Sequence, residues 1–311
     1  MTSVLFDTPG PRAKRRNILY TAAFLVVLAA LVWWVYTAMN DKGQLDWALW
    51  KPFFTGSEAY TTYIWPGLQK TLEAAALAMV IALPLGAVLG IARLSDHAWV
   101  RVIASVLVEF FRAIPVLVLM IFGLALFAQY TGVSSDDRPF YAVVTGLVLY
   151  NASVLAEIVR AGILSLPRGQ SEAALAIGLR KGQMMRLVLL PQSVTVMLPA
   201  IVSQLVVIVK DTALGGAVLT FPELLASANT MSGYYGNFIA SLTVVAVIYV
   251  AINFSLTSFA HWLEGRLRRG KKSTGAVLGA QDVAEVAGSA ATGADPAGSL
   301  SGIGDITGPK K

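Results

Sequence analysis

The sequence predicts an all-α integral membrane protein with about six transmembrane helices. Of its 311 residues, 56% are hydrophobic and only 14% are charged, whereas soluble domains are about 45–50% apolar and about 25% charged. Six apolar runs reach the length of about 20 residues that a helix needs to cross a bilayer. Basic residues fall between these runs, as in the loops of a multi-pass membrane protein.

The first span is predicted from Ile18 to Met39, directly after a basic N-terminal segment. This run is longer than the apolar part of a typical secretory signal. Trp33, Trp34 and Tyr36 occupy its far end, where a signal would carry a small-residue cleavage site. Because aromatic residues are enriched at membrane interfaces, we interpret the run as a span that is retained.

Pro84 and Gly86 predict a kink in the second span. The third run is long for a single span, which indicates tilt or a cytoplasmic portion. Lys210 and Asp211 interrupt the far end of the fifth. An even number of spans places both termini on one side of the membrane. Spans two to six are predicted at 67–92, 102–130, 140–163, 192–213 and 236–262.

The distribution of basic residues predicts the orientation. Sixteen Lys and Arg residues lie on the side of the N-terminus, and at most five lie on the other side. Because cytoplasmic loops are enriched in these residues, both termini are predicted to be cytoplasmic and the chain to lie in the cell membrane. This placement explains the net charge of +6 without nucleic acid as a partner.

The chain lacks the residues of most catalytic centres. It has no cysteine and only two histidines, His97 and His261, which excludes a thiol nucleophile and argues against a multi-histidine metal centre. Residues 265–271 have the spacing of a phosphate-binding loop, but Lys272 stands where Ser or Thr is required. The segment also follows a transmembrane helix instead of a strand. The sequence therefore predicts no enzyme activity, no metal and no cofactor bound by this chain.

A segment between spans four and five is too polar to cross a membrane but favours a helix. Ser171 is a good N-cap, and Glu172 suits the positive end of a helix. The five residues that follow are helix-favouring, and Gly178 and Gly182 then allow a bend. A second protein can approach closely to a short helix that exposes small residues on the cytoplasmic surface.

Seven positions of this segment match a known signature: Glu172, Ala173, Ala174, Gly178, Val188, Leu190 and Pro191. The signature reads Glu-Ala-Ala, three residues, Gly, nine residues, an aliphatic residue, any residue, Leu and Pro. It is the cytoplasmic signature of the permeases of binding-protein-dependent ABC importers, which this chain resembles. The resemblance implies a type I importer permease fold, with a coupling helix between spans four and five that docks on an ATPase subunit.

Three further stretches extend the resemblance over about residues 64–264: FFRAIPVL, AEIVRAGI and VKDTALG. They are similar to motifs of polar amino-acid permeases, and the whole chain looks most like actinobacterial glutamate permease subunits. The implied organisation is an N-terminal part at 1–63, with the first span and an extracytoplasmic loop. A five-span permease core follows at 64–264, and then a cytoplasmic tail at 265–311. The tail has too few apolar residues to order itself and is predicted to be disordered.

Lys210, Asp211 and Thr212 are candidates for lining the substrate pathway. A charged group at membrane depth is costly unless it is paired or faces water, and an ammonium and a carboxylate in one cavity suit a zwitterionic solute. In the alternative interpretation, both charges lie in the outer headgroup region.

Two pairs of opposite charges are spaced three residues apart: Glu109 with Arg112, and Glu157 with Arg160. Residues at this spacing share a helix face. We predict that each pair is neutralised near the inner membrane surface and has a structural role.

The resemblance implies a permease subunit of an ATP-driven, binding-protein-dependent importer of polar amino acids, with glutamate as the expected substrate. It implies two ATPase subunits that use ATP and Mg, an extracytoplasmic amino-acid-binding protein, membrane lipids and a second homologous permease, in a heterodimer. One alternative is an ion-gradient-driven secondary transporter, which usually has internal repeats and more spans. The other is a membrane-bound enzyme, which needs a cluster of nucleophile, base or metal ligands.

Overall fold

The structure, a computed structural model, describes residues 10–269, except for the side chains of 260–261, 263–264 and 267–269. All regular secondary structure in this part of the chain is helical. The predicted disordered tail lies outside the described residues from 270 onward, as do Lys272 of the loop-like motif and residues 1–9. The α-helices are α1 (Pro11–Asp41), α2 (Trp47–Trp50), α3 (Trp65–Ala92), α4 (Ala98–Ala113), α5 (Val116–Tyr130), α6 (Arg138–Leu164), α7 (Arg168–Ala176), α8 (Lys181–Met184), α9 (Leu190–Val218), α10 (Leu224–Tyr235) and α11 (Phe238–Arg269). A 3-10 turn at Lys51–Phe53 and π-helical turns at Ala59–Ile64 and Met185–Leu189 complete the described elements.

The long helices confirm the predicted membrane fold. Among the described residues, five helical stretches are long and apolar enough to cross a membrane, and the bent α4–α5 pair makes a sixth if it counts as one span. α3 continues through Pro84, and α9 continues past Lys210 to Val218. The five stretches are Pro11–Asp41, Ala59–Ala92, Arg138–Leu164, Lys181–Val218 and Phe238–Phe259.

The predicted third span is broken into two helices, α4 and α5, which meet at an angle of 98°. Ile114 has an extended backbone with φ −90° and ψ 129°. The ring of Pro115 clashes with a helical conformation of the residue before it, so α4 must end there. The run at 102–130 is thus two helices with a sharp bend at Ile114 and Pro115, not one tilted helix.

The central helix of the bundle is α6. It packs against α3, α5, α9 and α4, and it is the most buried of the five long stretches. α1, in contrast, contains no buried residue. Its exposed apolar surface fits contact with lipid on most sides.

Two glycines of α3 allow it to approach α6 closely. A Cβ atom at Gly86 would lie 2.8 Å from the main-chain oxygen of Ala152, and one at Gly90 would lie 2.6 Å from that of Ala156. Small residues spaced four apart allow such close contact between membrane helices. Gly86 and Gly90 therefore have a packing role between α3 and α6.

Gly90→Val is expected to destabilise the fold by about 1–3 kcal/mol, since overpacking forces neighbouring groups to move and the nearest group is main chain. The thermal unfolding midpoint of the purified chain in detergent measures this effect. Val88→Ala is the matched control, because Val88 lies on the same helix with its side chain 65% exposed. Equal midpoints for the Gly90→Val and Val88→Ala variants would contradict the close packing.

Candidate coupling surface and substrate groove

Helix α7 covers the segment that carries the signature. It begins at Arg168, after Pro167 in an extended conformation with φ −55° and ψ 133°. The prediction that Ser171 is the N-cap is therefore wrong. Ser171 lies one turn inside the helix, where its hydroxyl donates to the carbonyl of Arg168 at 2.7 Å. Pro fits directly at a helix start because it needs no N–H partner, so the helix starts earlier than the Ser-Glu pattern indicates.

The C-terminus of α7 depends on Gly178. This residue has a φ of +81°, a left-handed conformation that glycine adopts without steric cost. The N–H of Gly178 donates to the carbonyl of Leu175 at 2.9 Å, and the N–H of Leu179 donates to that of Ala174 at 3.1 Å. These two bonds form a Schellman motif, which ends the helix and turns the chain toward α8.

One side of α7 is attached to the transmembrane helices. Ala174 is only 3% exposed and belongs to an apolar cluster with Val159 of α6 and Met197 of α9. The side chain of Gln192 in α9 also donates to that of Gln170 at 3.1 Å. Along its backbone α7 packs mainly against the π-helical turn Met185–Leu189 and α8, and that turn leads directly into α9.

The other side of α7 faces outward and is largely apolar. Leu175 is 55% exposed and Ile177 is 77% exposed. Glu172, Ala173 and Gly178 are exposed beside them. We call these five residues the coupling surface. An apolar surface of this kind, rimmed by charged residues, is typical of a protein-binding site.

A second contact joins the coupling segment to the turn between α3 and α4. The ammonium of Lys181, at the start of α8, forms an ion pair with the carboxylate of Asp96. Both side chains are well exposed, so this ion pair contributes little to stability.

A charge network connects the ends of α3, α4 and α6. Arg93 of α3 contacts Glu109 at 2.9 Å and Glu157 at 2.8 Å, and the Arg93 side chain is only 11% exposed. Glu157 also contacts Arg160 at 2.7 Å and Arg112 at 4.0 Å. The structure thus brings Glu157 and Arg160 together, whereas the predicted partner of Glu109, Arg112, is replaced by Arg93. A guanidinium from a neighbouring helix reaches Glu109 better than one on its own helix.

The three candidate pathway residues occupy one turn of α9 but have different surroundings. Lys210 is exposed, Asp211 is half-buried, and Thr212 is fully buried. The Thr212 hydroxyl donates to the carbonyl of Val209 at 2.7 Å. Successive helical residues lie about 100° apart, so the three side chains do not point into one cavity.

Lys210 lines a half-open groove of about 450 Å³ between α9, α10 and α11. Its lining is mostly apolar. Within the described residues, Lys210 forms no ion pair. The other lining residues are Ala213, Leu225, Leu242, Val245, Ala246, Tyr249, Val250 and Asn253.

Glu223 is a buried acidic residue behind this groove that the sequence analysis missed. It lies in the connection before α10, outside the five long spans, and is fully buried. Its carboxylate caps α10 by accepting from the N–H groups of Leu225 and Ala226, each at 2.8 Å. Burial raises the pKa of the Glu223 carboxyl above its usual value, and hydrogen bonds from Tyr249 and the α10 backbone oppose that shift.

Residues 82–269 match the family described as the binding-protein-dependent transport system inner membrane component. The chain belongs to this family. The match includes the coupling surface, the charge network and the groove. It confirms that the chain is a membrane-spanning transport subunit and not an enzyme.

Individual relatives of this permease carry amino acids in their names. The glutamate transport system permease protein GluD of Corynebacterium glutamicum is 46% identical over 75% of this chain and 85% of its own length. The glutamate/aspartate import permease protein GltK of Escherichia coli O6:H1 is 34% identical over 66% of this chain and 93% of its own length. The crystal structure of an amino acid ABC transporter with histidines matches with a TM-score of 0.61 and 27% identity, over 67% of this chain and 95% of that one. The predicted resemblance to polar amino-acid ABC permeases is confirmed.

Proposed function

We propose that this permease is the membrane-spanning subunit of an ATP-driven, binding-protein-dependent importer whose substrate is glutamate. The observation that carries the proposal is the 46% identity to a glutamate transport system permease. The exposed and largely apolar surface of α7 supports it. The partners are two ATPase subunits that use ATP and Mg, an extracytoplasmic amino-acid-binding protein and a homologous second permease in a heterodimer. The permease lies in the cell membrane with both termini cytoplasmic, and it binds no cofactor itself.

The attachment of α7 supports a mechanism. Closure of the ATPase dimer displaces the coupling surface. The contact of α7 with the π-helical turn that leads into α9, and the apolar cluster that contains Ala174, pass the displacement to the bundle. Nucleotide binding thereby shifts the populations of inward-open and outward-open states. The solute released by the binding protein passes between the two permeases as these states exchange.

We further propose that Lys210, Asp211 and Thr212 belong to the solute pathway. Lys210 supports this best, because its ammonium lines a largely apolar groove without an ion-pair partner among the described residues. Asp211 and Thr212 lie on the same turn of α9 as Lys210. They contribute by holding this turn of the helix in place behind the groove.

Lys210→Met is expected to lower glutamate uptake by about tenfold or more, since it removes the cation that would pair with a carboxylate of the bound solute. Asp211→Ala is expected to have a smaller effect, because Asp211 does not line the groove. Labelled uptake into proteoliposomes with the ATPase and the binding protein measures both. Uptake kinetics equal to those of the unsubstituted permease in both variants would contradict the pathway assignment.

Uptake of labelled glutamate by cells that lack this gene, with and without its restoration, tests the substrate. Loss and recovery of uptake, competed by glutamate or aspartate, are the expected results. Loss of uptake of a different polar solute would overturn glutamate alone. If ion uncouplers stop uptake while ATP is kept high, the importer mechanism is wrong and a secondary transporter takes its place.

A further inference from the structure

The buried carboxylate of Glu223 joins several helices. It accepts from the Tyr249 hydroxyl of α11 at 2.6 Å and lies 3.5 Å from the Thr71 hydroxyl of α3. It also abuts α9, because a Cβ atom at Gly216 would lie 1.8 Å from one of its oxygens. A carboxylate buried with several donors is a rigid junction, since moving any one donor leaves a buried charge less satisfied.

The connection that presents Glu223 is itself under backbone strain. Thr220, between α9 and α10, has a φ of +57°, which is unusual for a β-branched residue. Such conformations persist only where the surroundings hold them in place. Phe221 and Glu223, both fully buried, are the residues that hold this turn.

Glu223 contacts the groove wall at two points. Tyr249 and Leu225 both line the groove that contains Lys210. The Tyr249 hydroxyl and the Leu225 N–H both donate to Glu223, at 2.6 and 2.8 Å. The volume of about 450 Å³ lies within the range of small-molecule sites, about 300–1,000 Å³.

We propose that Glu223 is a positioning residue for solute transport, which holds Tyr249 and the start of α10 as the groove wall that receives an amino acid bound by Lys210. The solute carboxylate lies at Lys210, and its methylene groups lie on Tyr249 and Leu225. This inference rests on the proposed function, because it requires Lys210 to line the pathway. A lipid acyl chain is the other occupant that an apolar groove accommodates. The Lys210 ammonium has no ion-pair partner among residues 10–269 as described, which favours an anionic group.

The test uses the complete transporter in proteoliposomes and measures glutamate transported per ATP hydrolysed. Tyr249→Phe and Glu223→Gln each weaken the hydroxyl–carboxylate bond. Each is expected to lower this ratio by about fivefold or more, with ATPase stimulation by the liganded binding protein retained. The double variant is expected to be no worse than the more impaired single variant, because both act through one bond. A purely structural role would lower transport and ATP hydrolysis together and leave the ratio unchanged, which would overturn the inference.

Ser241→Ala is the matched control. Ser241 is also a buried hydroxyl of α11, donates to Asn237 at 2.7 Å and lies outside the groove. Its loss is expected to lower the unfolding midpoint without changing the transport ratio. An equal fall in the ratio for this variant would overturn the positioning role.

Ala213→Trp separates the solute from a lipid. This substitution fills the groove from α9 and is expected to block uptake. Full uptake with the groove filled would show that the solute does not occupy the groove, as expected if it holds an acyl chain, and would overturn the inference. If Lys210→Met also has no effect, the pathway assignment itself fails. If Lys210→Met impairs uptake while Tyr249→Phe and Glu223→Gln do not, only the role of Glu223 fails.

Discussion

Gly178→Arg is expected to lower glutamate uptake by more than about tenfold while the chain still inserts into the membrane. An L-residue in the left-handed conformation costs roughly 1–2 kcal/mol, so the Schellman motif that ends α7 is weakened. The new side chain also lies on the coupling surface, next to Ile177, which is more exposed than Leu175 on the same surface. Since space is open around the Gly178 Cβ position, the added side chain clashes with no transmembrane helix, and the strain is confined to the turn that ends α7. Uptake and ATPase activity in proteoliposomes, together with the amount of inserted chain, measure the result.

Two variants separate the backbone effect from the added bulk. Gly178→Asn is expected to retain most uptake, because Asn tolerates the left-handed conformation. Gly182→Arg adds the same side chain where space is equally open but φ is not positive, and it is expected to impair uptake less. If the Gly178→Arg variant takes up glutamate as fast as the unsubstituted permease, this turn has no coupling role.

The apolar helices and the coupling segment could be predicted because their signals are local. Run length, interfacial aromatics and helix-forming residues each lie within one element, and the signature positions lie within one 20-residue segment. The break in the third span was also readable, since Pro115 restricts Ile114 and the charges of that run all lie before it. The length of the run, by contrast, does not indicate a break.

The charge network and Glu223 could not be predicted in this way. Arg93 meets Glu157 across 64 positions of sequence, and Glu223 meets Thr71 across 152. Spacing of three residues indicates only which charges share a helix face. It does not show that a neighbouring helix brings a better partner, as Arg93 does for Glu109. Contacts between helices depend on how the bundle packs, and the packing follows from small residues such as Gly86 and Gly90.

Glu157→Ala is expected to destabilise the permease by about 3 kcal/mol. Removing one partner of a buried ion pair costs about 3–5 kcal/mol because the other charge stays buried, and the lower end applies since the Glu157 side chain is 29% exposed. Arg93 would keep only its contact with Glu109, and Arg160 would lose its closest partner. The thermal unfolding midpoint in detergent and the amount of chain recovered from the membrane measure the loss.

Glu109→Ala is the matched control for the same guanidinium. Glu109 binds Arg93 at 2.9 Å, a distance close to that of Glu157, but its side chain is 62% exposed. Exposed ion pairs contribute about 0–1 kcal/mol, so this variant is expected to unfold close to the natural midpoint. If Glu109→Ala destabilises as much as Glu157→Ala, burial is not what gives the network its strength. Arg93 would then act through its charge alone. In that case raised salt would lower the unfolding midpoint of the unsubstituted chain and that of the Glu157→Ala variant by different amounts.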